Sequence, residues 1–133
     1  MGAEPEYIRM LVCGGRDWVS SVARVNLVQQ VLSALPVPDI LIVGGDDNDR
    51  QNSVDGTAFL WALNRGIPIA VVKPNWDRWK RAAGPMRNAA MLKLCPTLVV
   101  AFPGGRGTED MVRKANAAGV PVRHVDAIGW VDA

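Results

Sequence analysis

The sequence has few of the residues from which metal sites and common catalytic motifs are built. It contains one histidine, His124, and two cysteines, Cys13 and Cys95, which stand far apart and form no C-x-x-C pair. This composition argues against a zinc cluster and a disulfide scaffold, so we predict no metal site and two buried free thiols. The sequence also lacks the G-x-S-x-G elbow, the G-x-x-x-x-G-K-S/T P-loop and a G-x-G-x-x-G after its first strand. Their absence weakens assignments to triad hydrolases, nucleoside triphosphatases and dehydrogenases, and we predict no cofactor.

Long apolar runs and a strong net charge are missing as well. No run reaches membrane-spanning length and residues 1–9 do not form a charged-then-apolar leader, so a cytoplasmic protein without a membrane partner is expected. Fifteen Lys and Arg residues oppose thirteen Asp and Glu residues, which gives a formal charge of +2 and no sign of a nucleic-acid-coating protein. The 133 residues, 49% of them hydrophobic, fit one domain over 1–133 with a substantial core.

A recurring order of strand, glycine or polar loop, and helix organises the chain. Apolar runs that predict strands occupy 8–13, 39–43, 67–72, 97–101 and 120–125. Ser20 or Ser21 and Asn52 or Ser53 are candidate N-caps for the first two helices. The alternation predicts an α/β protein with a Rossmann-like, doubly wound parallel sheet of about five strands and helices on both faces. In such sheets ligands bind at the carboxyl ends of the strands.

The most informative loop follows the fourth predicted strand and reads Phe102-Pro103-Gly104-Gly105-Arg106-Gly107-Thr108. An alanine-rich helix is predicted after it, over 109–118, with Thr108 as its N-cap. Three glycines allow the backbone N–H groups and the helix N-terminus to face an anion, for which phosphate is the obvious candidate. The alternative is a tight strand-to-helix turn without a ligand. The predicted phosphate contacts are Pro103, Gly104, Gly105, Arg106, Gly107 and Thr108.

Three further segments are predicted to lie on the same rim, because each follows a predicted strand. These are the first glycine loop, the Gly44-Gly45 turn with the acidic segment Asp46–Asn52, and the basic and aromatic segment 73–87. A base could stack on Trp76, although tryptophans that fill gaps under a long loop are the alternative. The candidate ligand contacts in these segments are Gly14, Gly15, Arg16, Gly44, Gly45, Trp76, Gly84, Arg87 and Asn88.

Three segments together resemble the SLOG superfamily, and most of all its YspA-type branch. They are 11–18, 83–91 and 101–108, with a weaker match over 55–62. The resemblance implies a nucleotide or nucleotide-derived ligand and a homodimer. In the LOG enzymes of this superfamily, an arginine and a glutamate serve in hydrolysing the N-glycosidic bond of a nucleoside monophosphate. Arg87 matches the arginine position, whereas Met111 occupies the glutamate position, three residues after Thr108.

Three functions follow as hypotheses. The first is a nucleotide-binding domain with its phosphate on the Pro103–Thr108 loop. The second is an enzyme, a LOG-like phosphoribohydrolase or a deoxyribosyltransferase, in which Arg87, Asp55 and Asp17 are the catalytic candidates and Asp110 is a further candidate acid. Asp55 also has a purely structural explanation as a helix-stabilising charge. The third is single-stranded nucleic-acid binding, which the small net charge disfavours.

Overall fold

The computed structural model of the protein describes residues 7–45, 52–126 and 129–130. Of the acidic segment predicted at Asp46–Asn52, only Asn52 lies within these residues. The described strands are β1 (Arg9–Cys13), β2 (Ile40–Gly44), β3 (Ile69–Val72), β4 (Leu98–Ala101), β5 (Val122–Asp126) and β6 (Gly129–Trp130). The described helices are α1 (Val22–Ser33), α2 (Val54–Asn64), α3 (Trp76–Trp79), α4 (Ala83–Leu92) and α5 (Arg106–Ala117), with a 3-10 turn at Lys80–Ala82.

The strands form one sheet in the order β3-β2-β1-β4-β5-β6. The first five strands pair in parallel, and β6 pairs antiparallel to β5 through Val125 and Trp130. This confirms the predicted Rossmann-like α/β fold and adds a short sixth strand from the chain's last residues. The chain runs from β1 outward through β2 to β3, then returns to β4 on the other side of β1. The sheet therefore has its topological switch point between β1 and β4, where ligand crevices form in folds of this class.

Alternate residues of the same strands supply two separate cores, one on each face of the sheet. On one face, α1 and α2 pack on the strands, and the buried residues include Met10, Val12, Leu41, Val43, Val28, Leu32, Ala58 and Trp61. On the other face, α4 and α5 cover Leu11, Cys13, Ile42 and Val99 through Met91, Met111 and Ala115. Helices pack on both faces of the sheet, so the loops at the carboxyl ends of its strands start from a packed framework.

Local capping chemistry sets the ends of several helices as predicted. Ser21 and Ser53 are the N-caps of α1 and α2, and each side-chain oxygen accepts a hydrogen bond from the backbone N–H three residues ahead. Gly66 and Gly119 follow α2 and α5 with φ of +67° and +76°. This left-handed conformation is the one for which glycine is preferred after a helix.

The predicted start of α5 is wrong. The helix begins at Arg106, its N-cap is Gly105, and no side chain caps it, so Thr108 lies inside the first turn. The turn closes through the Glu109 N–H, which donates to the Gly105 carbonyl at 3.0 Å. Because glycine destabilises a helix interior by about 1 kcal/mol, the three glycines predicted a loop that extends to Thr108. Glycine is well tolerated at an N-cap, so the helix extends back to Arg106.

The two cysteines and the histidine differ in their exposure to solvent. Cys13 is buried as predicted, but Cys95 is exposed, so the prediction for Cys95 is wrong. Cys95 lies in the turn after α4 with φ of +58°, outside the two cores. His124 is exposed on β5.

Within the described ranges, no helix combines the length and apolar character needed to cross a membrane.

Candidate ligand-binding cleft

Backbone hydrogen bonds join three loops at the carboxyl end of the sheet. The Gly15 N–H donates to the Pro103 carbonyl at 2.8 Å, and the Gly15 carbonyl accepts from the Val54 N–H at 3.1 Å. The Phe102 N–H donates to the Cys13 carbonyl at 2.9 Å. The loop after β1 is therefore held between the loop after β4 and the start of α2, at the switch point of the sheet.

These loops surround a cleft of about 460 Å³. Most of the predicted site residues line it: Gly14, Gly15, Arg16, Gly44, Asp55, Trp76, Gly84, Arg87, Asn88, Gly105, Arg106, Gly107 and Thr108. Further lining residues that the sequence-based list of ligand contacts omitted are Cys13, Ser53, Arg81, Pro85, Met91 and Asp110. Arg81 belongs to the basic segment predicted on this rim, and Met91 lies one helical turn after Arg87. Both positions therefore indicated, from the sequence alone, that Arg81 and Met91 lie beside the cleft.

Four predicted site residues lie outside the cleft lining. Asp17 is exposed in the loop after β1, and a Cβ on Gly45 would contact the Val71 side chain. Pro103 and Gly104 line a different hollow of about 470 Å³ between α5 and β5. The loop after β4 thus faces two hollows, and the predicted phosphate contacts divide between them.

The first turn of α5 opens onto the cleft. In an α-helix the N–H groups of this turn have no acceptor within the helix, and they carry the positive end of the helix dipole. Here they belong to Arg106, Gly107 and Thr108. A Cβ added to Gly105 or Gly107 would meet no heavy atom within 4 Å, so the space above both residues is open. This geometry suits an anion such as phosphate.

Other glycines of the rim are required for close packing. A Cβ on Gly104 would overlap Thr108 Oγ1 and lie 2.8 Å from the Gly15 backbone nitrogen. A Cβ on Gly14 would lie 2.5 Å from Val54 Cγ2. These distances are below those that side chains tolerate, so glycine at both positions allows the loops to touch.

Arg87 and Asp55 approach each other over Gly44 at the floor of the cleft. A Cβ on Gly44 would lie 2.5 Å from Arg87 Nη1 and 3.1 Å from Asp55 Oδ2, so both groups reach the same point. Burial, and after it the negative charge of Asp55, raises the pKa of the neighbouring Cys13 thiol far above its usual range, against the opposing effect of Arg87. Cys13 is therefore a neutral thiol in the floor and not a nucleophile.

Asn88 connects this floor to α5. Its Oδ1 accepts a hydrogen bond from Arg87 Nε at 2.9 Å. Its Nδ2 donates to the Gly107 carbonyl and to Asp110 Oδ2, both at 3.0 Å. Asn88 is only 3% exposed. One buried amide thus joins the cleft arginine, the first turn of α5 and a carboxylate of the same helix.

Asp110, and not Met111, is the residue of this part of α5 that reaches the cleft. Met111 is 1% exposed and packs in the core between α5 and the sheet. Asp110 accepts hydrogen bonds from Lys114 Nζ at 2.6 Å and from Arg113 Nη2 at 2.6 Å. Burial disfavours its charge, but the hydrogen bonds from Lys114 and Asn88 and the two cations outweigh burial and lower its pKa. Asp110 is accordingly an ionised carboxylate whose charge is neutralised within the protein.

Trp76 and Arg16 lie at the mouth of the cleft. The Arg16 guanidinium carbon is 5.6 Å from the centroid of the Trp76 ring, a cation–π contact. The ring edge extends over Gly84, where a Cβ would lie 3.7 Å from Cη2. Trp76 is 38% exposed, so the indole is accessible from the solvent side. A base that stacks on the Trp76 ring either displaces the Arg16 guanidinium or binds the ring together with it.

The charges of the lining favour an anion. Its cations are Arg16, Arg81, Arg87 and Arg106, and its carboxylates are Asp55 and Asp110. Because Lys114 and Arg113 neutralise Asp110, the arginines outweigh the remaining carboxylate. In the described part of the chain, no group of three or more His, Cys, Asp or Glu side chains is placed to hold a metal ion.

Comparison with known proteins identifies a relative without a stated activity. No family model matches the chain, and no solved structure matches it. The chain is 26% identical over 121 residues to the Gene 61 protein of Mycobacterium phage D29. The match covers 86% of this chain and 93% of the phage protein. The function therefore has to be argued from the cleft itself.

Proposed function

We propose that the protein binds a nucleotide or a nucleotide-derived small molecule in this cleft, with a phosphate on the first turn of α5. The observation that carries the proposal is the uncapped helix start at Gly105, whose N–H groups face a cleft at the switch point of a parallel sheet. Anions bind at helix N-termini of this kind because several donors and the helix dipole act together. The likeness of the sequence to the SLOG superfamily favours the same class of ligand.

The size and lining of the cleft support a ligand larger than free phosphate. Its volume of about 460 Å³ lies within the range of small-molecule sites. Arg87 and Arg106 supply positive charge in the same lining as the helix start, and Trp76 supplies an aromatic surface there. A phosphate joined to a base by a sugar makes use of both.

Isothermal titration calorimetry with AMP, ADP-ribose and cyclic AMP tests this proposal. We expect at least one of these ligands to bind the wild-type protein, and we expect Gly105→Asp to weaken that binding. The matched variant Gly105→Asn has the same shape without the charge. The proposal fails if none of the ligands binds, or if folded Gly105→Asp binds as tightly as the wild type.

A second candidate function is cleavage or transfer at the N-glycosidic bond of a nucleoside monophosphate. The approach of Asp55 and Arg87 over Gly44 favours it, because a carboxylate stabilises the oxocarbenium-like transition state of such reactions. We expect Asp55→Asn to abolish base release from nucleoside monophosphates if the protein is this enzyme. Asp17→Asn is the matched control, since Asp17 lies outside the cleft lining. Equal base release by both variants excludes Asp55 as the catalytic carboxylate.

A further inference from the structure

Both polar atoms of the Asn88 side chain are engaged with the protein. Oδ1 accepts from Arg87, and Nδ2 donates to Gly107 and Asp110. We infer that Asn88 is a positioning residue and not a ligand contact: it holds the first turn of α5 and the Arg87 guanidinium in a fixed relation to each other. The inference rests on the proposed function, since that turn and Arg87 are the proposed phosphate partners.

The first turn of α5 presents an open surface to the cleft. A Cβ at Gly105 or Gly107 would meet no heavy atom within 4 Å, so no side chain covers the turn at those two points. The hydrogen bond from Asn88 Nδ2 to the Gly107 carbonyl ties the turn to α4 from the buried side. Donors that are fixed before binding cost less free energy to order when the ligand arrives. Asn88 supplies this restraint.

The partners of Asn88 determine which way its amide points. Arg87 Nε is a donor only, and the Asp110 carboxylate and the Gly107 carbonyl are acceptors only. The oxygen must therefore face Arg87 and the nitrogen must face α5. An asparagine satisfies both sides, whereas an ionised carboxylate at this position offers no donor to α5.

In the Asn88→Asp variant, the ability of residue 88 to donate a hydrogen bond to α5 depends on pH. The introduced carboxylate lies about 3 Å from the Asp110 carboxylate. Repulsion between the two negative charges raises the upper pKa of the pair above the pKa of either carboxyl alone. The charged groups that face the pair are Lys114 and Arg113 on α5 and Arg87 on α4. At low pH the shared proton supplies the missing donor. As the pH rises through the upper pKa of the pair, the proton is lost and the two carboxylates repel.

The test is calorimetric titration of ADP-ribose into wild-type protein, Asn88→Ala and Asn88→Asp at about pH 5.5 and about pH 8. Each variant is compared with the wild type at the same pH, so any effect of pH on the ligand itself cancels. We expect Asn88→Ala to weaken binding roughly tenfold at both values. We expect Asn88→Asp to weaken it roughly tenfold at the higher pH and by less than about threefold at the lower. Adding Asp110→Asn to Asn88→Asp leaves one carboxylate, so the pH dependence should disappear.

A second measurement needs no ligand. In an NMR titration of Asn88→Asp, the backbone amides of Gly107 and Thr108 should shift with the protonation of the pair, whereas in the wild type they should not. If wild-type protein binds no ligand but these amides titrate in the variant, the proposed function fails and the positioning role stands. If wild-type protein binds and both Asn88→Ala and Asn88→Asp bind as tightly as the wild type at both pH values, with silent amides, the positioning role is overturned and the proposed function stands.

Discussion

A carboxylate placed at position 105 opposes a bound phosphate directly. Gly105 is the exposed N-cap of α5, and a Cβ there meets no heavy atom within 4 Å, so Gly105→Asp fits without a clash. Asp is also among the preferred N-cap residues, and we expect the variant to be as stable as the wild type or more stable by a few tenths of a kcal/mol. A thermal melt of the variant checks that a loss of binding does not arise from unfolding.

The size of the effect follows from Coulomb's law. A carboxylate about 5 Å from a phosphate charge costs roughly 3 kcal/mol at an effective dielectric constant of about 20. Because Gly105 is exposed, solvent and salt reduce this to about 2 kcal/mol, which corresponds to roughly a thirtyfold rise in Kd. The uncharged Gly105→Asn should stay within about threefold of the wild type.

The assay is calorimetry at low and moderate salt, together with a thermal melt of each variant. The penalty of Gly105→Asp should shrink as salt is added, since screening weakens the repulsion. The corresponding nucleoside, which has no phosphate, should bind both variants equally. A folded Gly105→Asp protein with wild-type affinity for the phosphorylated ligand refutes the placement of the phosphate on the first turn of α5.

Substitutions at two further positions test other parts of the site. Trp76→Ala should weaken the binding of a purine nucleotide by about 1–3 kcal/mol, and Trp76→Phe should weaken it by less. Ribose 5-phosphate, which has no base, should bind the wild type and both variants alike. Equal losses for the two ligands contradict base stacking on this ring. Asp110→Asn should lower the free energy of unfolding by about 2 kcal/mol above pH 5. Because the folded state lowers the pKa of Asp110, its stabilisation is complete above the unfolded value of about 3.9 and is lost as the pH falls through the folded value. The difference in free energy of unfolding between the wild type and Asp110→Asn, measured with urea, should therefore decrease as the pH falls. A difference that stays constant with pH contradicts an ionised Asp110.

The fold was predictable because its signals are local and repeated. Each parallel strand is an apolar run that ends in a glycine or polar turn, and Ser21 and Ser53 mark the helix starts with their own side chains. The short β6 was not predictable, because its two residues pair with β5 through tertiary context and not through a pattern of their own.

The cleft was predictable as a set of strand ends but not as a set of contacts. Loops that follow parallel strands share an edge, which is why Gly14, Gly44 and Gly105 meet. Which side of a loop a residue faces depends on where the next helix starts. The earlier start of α5 turns Gly104 toward the second hollow and Asp110 toward the cleft, and no spacing rule in the sequence indicated that start.

The glycines of this rim divide into two classes with different consequences for evolution. Gly14 and Gly104 stand where a side chain collides with Val54 or with the Gly15 backbone, so a change there has to be accompanied by changes elsewhere. Gly105 and Gly107 stand where a side chain meets open space. The packing of the rim therefore tolerates a substitution at either of these two positions, so the surface that faces the cleft can change while the fold persists.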